Sequence, residues 1–281
     1  MSPDRSSKLP VAPTAVVAIA KELRAGAQAD KPLVVAGARE LAAALRTELT
    51  RGGVASAVRE EASLEDAAAL VYVLAGSPTD GDVALLKRAN HARVPIVCVI
   101  AGPLGGDVAD PPYVLAQNVV RVPAGAGFPI DEIARAIART LGERATSLAA
   151  RLPVLRDAVV DRLITQFSRQ NGVIGVAVFV PGADMPILTL NQIRMLLRIA
   201  DTYGFELDRA RIPEVLGVIG AAFGWRAVAR SLLGSVPVAG WAFKGGVAFV
   251  GTRALGEAAR RYFEARAPVT RVAGDRSVFP R

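Results

Sequence analysis

Pro95-Ile-Val-Cys-Val-Ile100 is an unbroken apolar run, dominated by β-branched side chains and long enough for one strand only. A strand that is apolar on both faces must be covered on both faces, which is the situation of a parallel sheet between helices. Moving outward from it, Leu70-Val-Tyr-Val-Leu74 and Leu33-Val-Val-Ala-Gly37 repeat the pattern, and Val54 to Val58 and Asn118 to Val122 read as two further strands. The segments between them carry helical spacing. Glu40 to Leu49 places Leu41, Ala44, Leu45 and Leu49 on one side and stops at Arg51-Gly-Gly53. Ser63-Leu-Glu-Asp66 is read as the start of a short helix with Ser63 as N-cap. Thr79 to His91 turns Val83, Leu85 and Leu86 inward, and Ile130 to Leu141 closes the region as an amphipathic helix. Strand–helix alternation of this kind predicts right-handed crossovers and an α/β domain, doubly wound, with about five mostly parallel strands.

The chain has 281 residues, which at ~150 residues per domain corresponds to about two domains. Hydrophobic residues make up 52% and aromatics only 5%, so the core must be built from small and branched aliphatics. One Cys and one His exclude an internal disulfide, a zinc knuckle and a His-rich metal cage. Any Ser–His or Cys–His catalytic pair would have to use His91, which has no acidic or Cys partner nearby in sequence and reads as a helix-end surface residue. Cys98 lies mid-strand and reads as a small buried apolar residue. The net charge is +8, with an attraction for anionic surfaces or nucleic acid. Nucleic acid is the weaker of the two, because the basic residues are not interleaved with aromatic stacking platforms.

A doubly wound sheet takes its ligands at the carboxyl ends of its strands. After the first strand comes Ala36-Gly-Ala-Arg39, with one Gly, no Lys and no Ser or Thr. A phosphate cradle needs several glycines so that backbone amides can converge, then Lys and a hydroxyl for charge and Mg²⁺. Neither GxxxxGK[ST] nor GxGxxG is present, and Ala101-Gly-Pro-Leu-Gly-Gly-Asp107 offers no Asn-Lys-x-Asp for guanine. No catalytic residue, cofactor or metal site is therefore expected. Gly37, Gly76 and Gly102 remain weak candidates for an unorthodox nucleotide or ligand site, since the strand assignments bring them to one edge.

The second half is helical. Pro153 to Phe167 aligns Leu155, Val159, Val160, Leu163, Ile164 and Phe167 on one stripe, opposite Arg156, Asp157, Asp161 and Arg162. Thr189 to Gln192 fits a capping box, with Leu188 and Ile193 as its hydrophobic staple, opening a helix that ends at Gly204. Asp184, in Pro-Gly-Ala-Asp, reads as a turn or cap residue. The stretch Pro181–Leu196, with Ile199-Ala-Asp-Thr-Tyr-Gly204 and the Ala/Gly-rich apolar region after it, resembles the YcjF-type helical domain family of unknown function. Members of that family often follow an Era-like GTPase domain, and the resemblance spans about Val159 to Phe263. It implies a membrane-associated helical region with no established catalytic residues. The order of elements before it resembles a shortened GTPase domain, so the resemblance implies a degenerate, non-hydrolysing relative.

Pro213 to Trp225 is read as a helix in which Gly220 and Gly224, four apart, let another helix approach closely. Val236 to Ala265 continues with Gly240, Gly245, Gly246, Gly251 and Gly256, and Val247, Val250, Ala254, Ala258 and Tyr262 continue one stripe of the last helix. From Arg253 onward seven arginines face three acids, half the chain's net +8. Arg253, Arg260, Arg261 and Arg266 are the residues expected to meet an anionic membrane surface on its cytoplasmic side. No run of ~18–20 apolar residues supports a conventional spanning helix. The expected organisation is an N-terminal arm and leading helix (1–30), a degenerate GTPase-like α/β domain (31–145), a YcjF-type helical domain (146–267) and a basic tail (268–281). The expected function is a non-catalytic interaction or scaffold protein that assembles with itself, another protein or a membrane. The alternative is an unorthodox nucleotide-binding switch or enzyme.

Overall fold

The computed structural model describes residues 31–60, 64–102, 110–177, 185–205 and 241–267, together with Ala18. The chain divides into two compact units, one built on Ala29–Arg162 with Thr202–Gly204, the other on Leu163–Asp201 with Phe205–Ala267.

The α/β unit holds five strands, β1 (Leu33–Gly37), β2 (Val58–Glu60), β3 (Ala69–Leu74), β4 (Ile96–Gly102) and β5 (Val119–Pro123), in the spatial order β2-β1-β3-β4-β5 with every pair parallel. The order reverses between β1 and β3, which defines the topological switch point. Helices α1 (Arg39–Leu49), α2 (Asp80–His91), α3 (Ile130–Leu141) and α4 (Ala145–Arg151) belong to the same unit. Right-handed crossovers place α1 and α2 on opposite faces. Leu86 and Ala89 of α2 pack with Val34, Ala36, Leu70, Tyr72, Ile96 and Cys98, the alternate side chains of β1, β3 and β4. The remaining set, Leu33, Val35, Val71, Val73, Val97 and Val99, faces the other way and is equally buried. Both sides being covered explains why these strands are apolar throughout.

Two elements differ from the sequence reading, each because a local hydrogen bond intervenes. Val54 does not begin a strand, because its amide donates to the Arg151 carbonyl at 2.9 Å. Ala55–Ala57 then makes one 3-10 turn, and β2 starts only at Val58. Ser63 lies outside the described residues, and Leu64–Asp66 is a turn rather than a helix. The Ala68 amide already donates to Pro32 at 2.8 Å, so the chain is drawn into β3 with no room for a helix.

The second unit contains α5 (Arg156–Ala177), whose first turns lie in the α/β unit, with α6 (Met185–Thr202) and α7 (Trp241–Glu264). The expected capping box is corrected here. The helix begins four residues before Thr189, and Thr189 and Gln192 are buried within it. The Gln192 side chain turns to Thr252 of α7 instead of back to a helix end. Gly204 adopts φ +80°, and the Phe205 amide closes the end of α6 on the Ala200 carbonyl at 3.1 Å.

The stripe read from the sequence is not the buried face of α7. Val250 is 63% exposed, Ala254 is exposed and Tyr262 half-buried, while Gly245, Ala248, Thr252, Gly256, Ala259 and Phe263 are buried. The helix therefore packs on small residues over most of its length and on Phe263 near its end. A Cβ at Gly245 would come within 2.8 Å of the Gly172 carbonyl oxygen, and one at Gly256 within 2.7 Å of the Ile164 side chain. The α5 side chains Val176 and Ile164 seat on these two glycines, and the α5 backbone at Gly172 comes close at the first. Among the described residues no helix is long and apolar enough to cross a membrane.

Candidate functional site: the carboxyl edge of the sheet

Gly37, Gly76 and Gly102 all lie at the carboxyl ends of their strands, and each is placed differently. Gly37 adopts φ +112°, and any Cβ there would overlap the Val73 carbonyl. The close approach lets the Ala38 amide donate to Val73 at 2.8 Å. An amide that a phosphate cradle would point at ligand is thus spent on β3. Helix α1 follows with no side-chain cap and with Glu40 in its first turn. Gly76 (φ +120°) has open space where a Cβ would stand, and a Cβ on Gly102 would come 4.0 Å from the Gly76 Cα. These two glycines form an open floor between the ends of β3 and β4.

The wall beside that floor is the start of α2. Thr79 is its N-cap, and the Thr79 amide and hydroxyl both donate to Asp82 Oδ2 at 2.7 Å. The Asp82 amide returns a bond to Thr79 Oγ1 at 3.4 Å, which completes a capping box. Tyr72, buried on β3, donates its hydroxyl to Asp82 Oδ1 at 2.6 Å. Burial pushes the Asp82 carboxyl up, but the bonds from Tyr72 and from both Thr79 groups outweigh it and hold it below its ordinary value. The carboxylate occupies the place at the helix start where an anionic ligand would otherwise be attracted. Asp80 adds a second carboxylate in the same turn.

Cys98 pairs with Tyr72 across the β3–β4 ladder and is fully buried. Burial first, and then the Asp82 carboxylate, push its thiol up to about 12, so it is neutral and inert as a nucleophile at neutral pH. His91 is exposed at the last turn of α2. Arg121 of β5 pairs with Asp110 at 2.7 Å, both half-exposed. Among the described residues no group of three or more His, Cys, Asp or Glu could hold a metal ion.

In the helical unit Gly220 and Gly224, with Asp184, lie outside the described residues. Arg253, Arg260, Arg261 and Arg266 are all on or just beyond α7, but they do not form a free basic face. Glu257 stands 3.9 Å from Arg253 and 3.7 Å from Arg260, and Arg266 stacks over the Tyr262 ring at 4.2 Å. The sequence reading missed a buried polar seam. Asn171 Nδ2 donates to Thr252 Oγ1 at 2.9 Å, Gln192 Nε2 donates to the same oxygen at 3.3 Å, and Asn191 Nδ2 donates to Asn171 Oδ1 at 3.0 Å. Its signal was present: Asn171 continues the Ile164–Phe167 stripe, where an amide would be out of place unless it met a partner.

No protein-family model, curated protein or solved structure matches the chain. The α/β unit is defined by its own geometry as a doubly wound domain of 2-1-3-4-5 strand order.

Proposed function

We propose that the chain is a non-catalytic interaction or scaffold protein, a GTPase-like α/β domain without nucleotide machinery joined to a helical assembly domain of the YcjF type. The observation that carries this reading is the spent switch-point edge. The Ala38 amide is committed to Val73, and the start of α2 to its own Asp82. With Glu40 and Asp80 alongside, a phosphate chain would meet carboxylates rather than donors. The open floor at Gly76 and Gly102 favours a second reading, an unorthodox nucleotide site at the same edge. Equilibrium titration with GTP and ATP in the presence of Mg²⁺ separates the two. The scaffold reading expects no saturable binding; micromolar affinity that Gly102→Val abolishes would establish the switch instead.

The partner is a second copy or another protein, reached through the helical domain, with an anionic membrane surface on the cytoplasmic side as the further arm of the proposal. The arginines of α7 would supply that attraction, at ~1 kcal/mol per basic charge near the surface. Glu257, placed between Arg253 and Arg260, offsets part of it. Flotation with anionic and neutral vesicles measures what is left. Binding is expected to anionic vesicles only and to weaken with salt; a chain left behind by both lipids would remove the membrane arm.

A further inference from the structure

The stripe by which α7 packs is built from repeats of one step. Gly245 and Ala248 recur as Gly256 and Ala259, eleven residues on, and eleven residues are three helical turns, so both copies lie on the same face. Gly245 receives the Val176 side chain and the Gly172 carbonyl of α5, and Gly256 receives the Ile164 side chain, so each glycine is a hole for a β-branched residue of α5. Both holes take a β-branched side chain, so the glycines by themselves distinguish the two Gly–Ala steps less sharply than a group found at one position only. The position between them is different. Thr252 has Phe263 as its counterpart in the repeat, and only Thr252 carries a hydroxyl. That hydroxyl accepts from Asn171 of α5 and from Gln192 of α6, and all three residues are buried. Any other pairing of α7 would strand two buried amides, each carrying a full desolvation cost.

We propose that the Asn171–Thr252–Gln192 seam is a conformational lock that selects one register and orientation of α7 against α5 and α6. It contributes selection rather than net stability, since a buried polar group exchanges water hydrogen bonds for protein ones at little gain. Asn191, half-buried, steadies the far side of Asn171 through Oδ1. The proposal rests on the packing of the helical unit alone and holds whether or not the chain is a scaffold.

Three full-length variants test it. Thr252→Val keeps the shape and removes the acceptor, so hydrogen-exchange protection across α5 and α7 is expected to fall by at least ~10-fold, whereas Thr252→Ser retains it. The triple variant Asn171→Leu, Gln192→Leu, Thr252→Val is expected to recover the thermal stability lost in Thr252→Val but not the single pairing. The pairing is read by spin-label distances between Val173→Cys and Val250→Cys, two exposed positions on α5 and α7. Cys98 is fully buried and stays unlabelled. The native seam predicts one narrow distance, and the triple variant a broadened distribution or a second population displaced by up to ~16 Å, the rise of eleven residues. A triple variant with one narrow distance would overturn the proposal. So would a triple variant less stable than Thr252→Val, because the seam would then supply stability and not selection, or a Thr252→Val protein with unchanged protection.

Discussion

Asp82 shows how one carboxylate decides what a helix start can do. It closes the α2 capping box with Thr79 and receives the Tyr72 hydroxyl from the sheet, so helix and strand are tied at the edge where a ligand would enter. Its carboxyl is held low in the folded state, so the stabilisation is present above the unfolded carboxylate value of about 3.9 and is lost as pH falls through the lower folded value. Asp82→Asn is expected to cost about 1 kcal/mol at pH 7, the usual worth of a cap. The difference from the native protein should shrink below pH ~4, as the native carboxyl is protonated too. Denaturant melts of both proteins from pH 3 to pH 7 measure this; a gap that is constant with pH would show that the charge of Asp82 does no stabilising. From the sequence, the helix over Thr79 to His91 was legible, but the reach of Tyr72 to Asp82 was not. It joins residues ten apart whose side chains meet only once β3 and α2 are packed.

At the scale of elements, the helical unit is held by absence of bulk. Gly245 and Gly246 are neighbours in α7 with opposite surroundings, one against the α5 backbone and the other with nothing near its missing Cβ. Gly→Ala in a helix interior gains up to ~1 kcal/mol in propensity, so Gly246→Ala is expected to raise the melting temperature. Gly245→Ala gains the same propensity but pushes α5 and α7 apart, and overpacking costs ~1–3 kcal/mol, so it is expected to lower it. Paired thermal melts decide the matter, and two shifts of the same sign would contradict the close-packed geometry. The same pair explains what pattern reading could see. Leu33–Gly37 and Ile130–Leu141 were legible to the residue, because a two-faced apolar run and a strongly sided helix each permit one placement. The stripe read on α7 did not show which face is buried, because the buried face mixes Gly245, Ala248, Thr252, Gly256 and Ala259 with Phe263 and so carries little large apolar periodicity. Thr189–Gln192 looked like a helix start because S/T-x-x-E/Q is a local signature, and only the neighbouring α7 reveals that Gln192 has a partner inside the core. Val54 was lost to β2 for a similar reason, a tether to Arg151 nearly a hundred residues away in sequence.

The whole molecule combines an α/β unit with a helical unit that packs through small residues, Phe263 and a polar seam. The carboxyl edge of the sheet is committed to its own backbone and side chains at Ala38 and Asp82, and open at Gly76 and Gly102. Among the described residues no group of three or more His, Cys, Asp or Glu could hold a metal ion, and the Cys98 thiol is buried and neutral. The proposed function is that the chain works by assembling. Gly220 and Gly224 lie outside the described residues, and the sequence reading, which expects them four apart on one face of a helix, makes them the place where that proposal is most exposed. Leu at both positions removes the room for close approach while improving helix propensity, so lost assembly could not be ascribed to a weaker helix. Sedimentation of the full chain and of the Gly220→Leu, Gly224→Leu variant, over a concentration series, is the decisive measurement. The account predicts a concentration-dependent oligomer for the native chain and a monomer with an intact α/β unit for the variant. A native chain that sediments as a monomer at every concentration, or a variant that assembles as the native chain does, would contradict it.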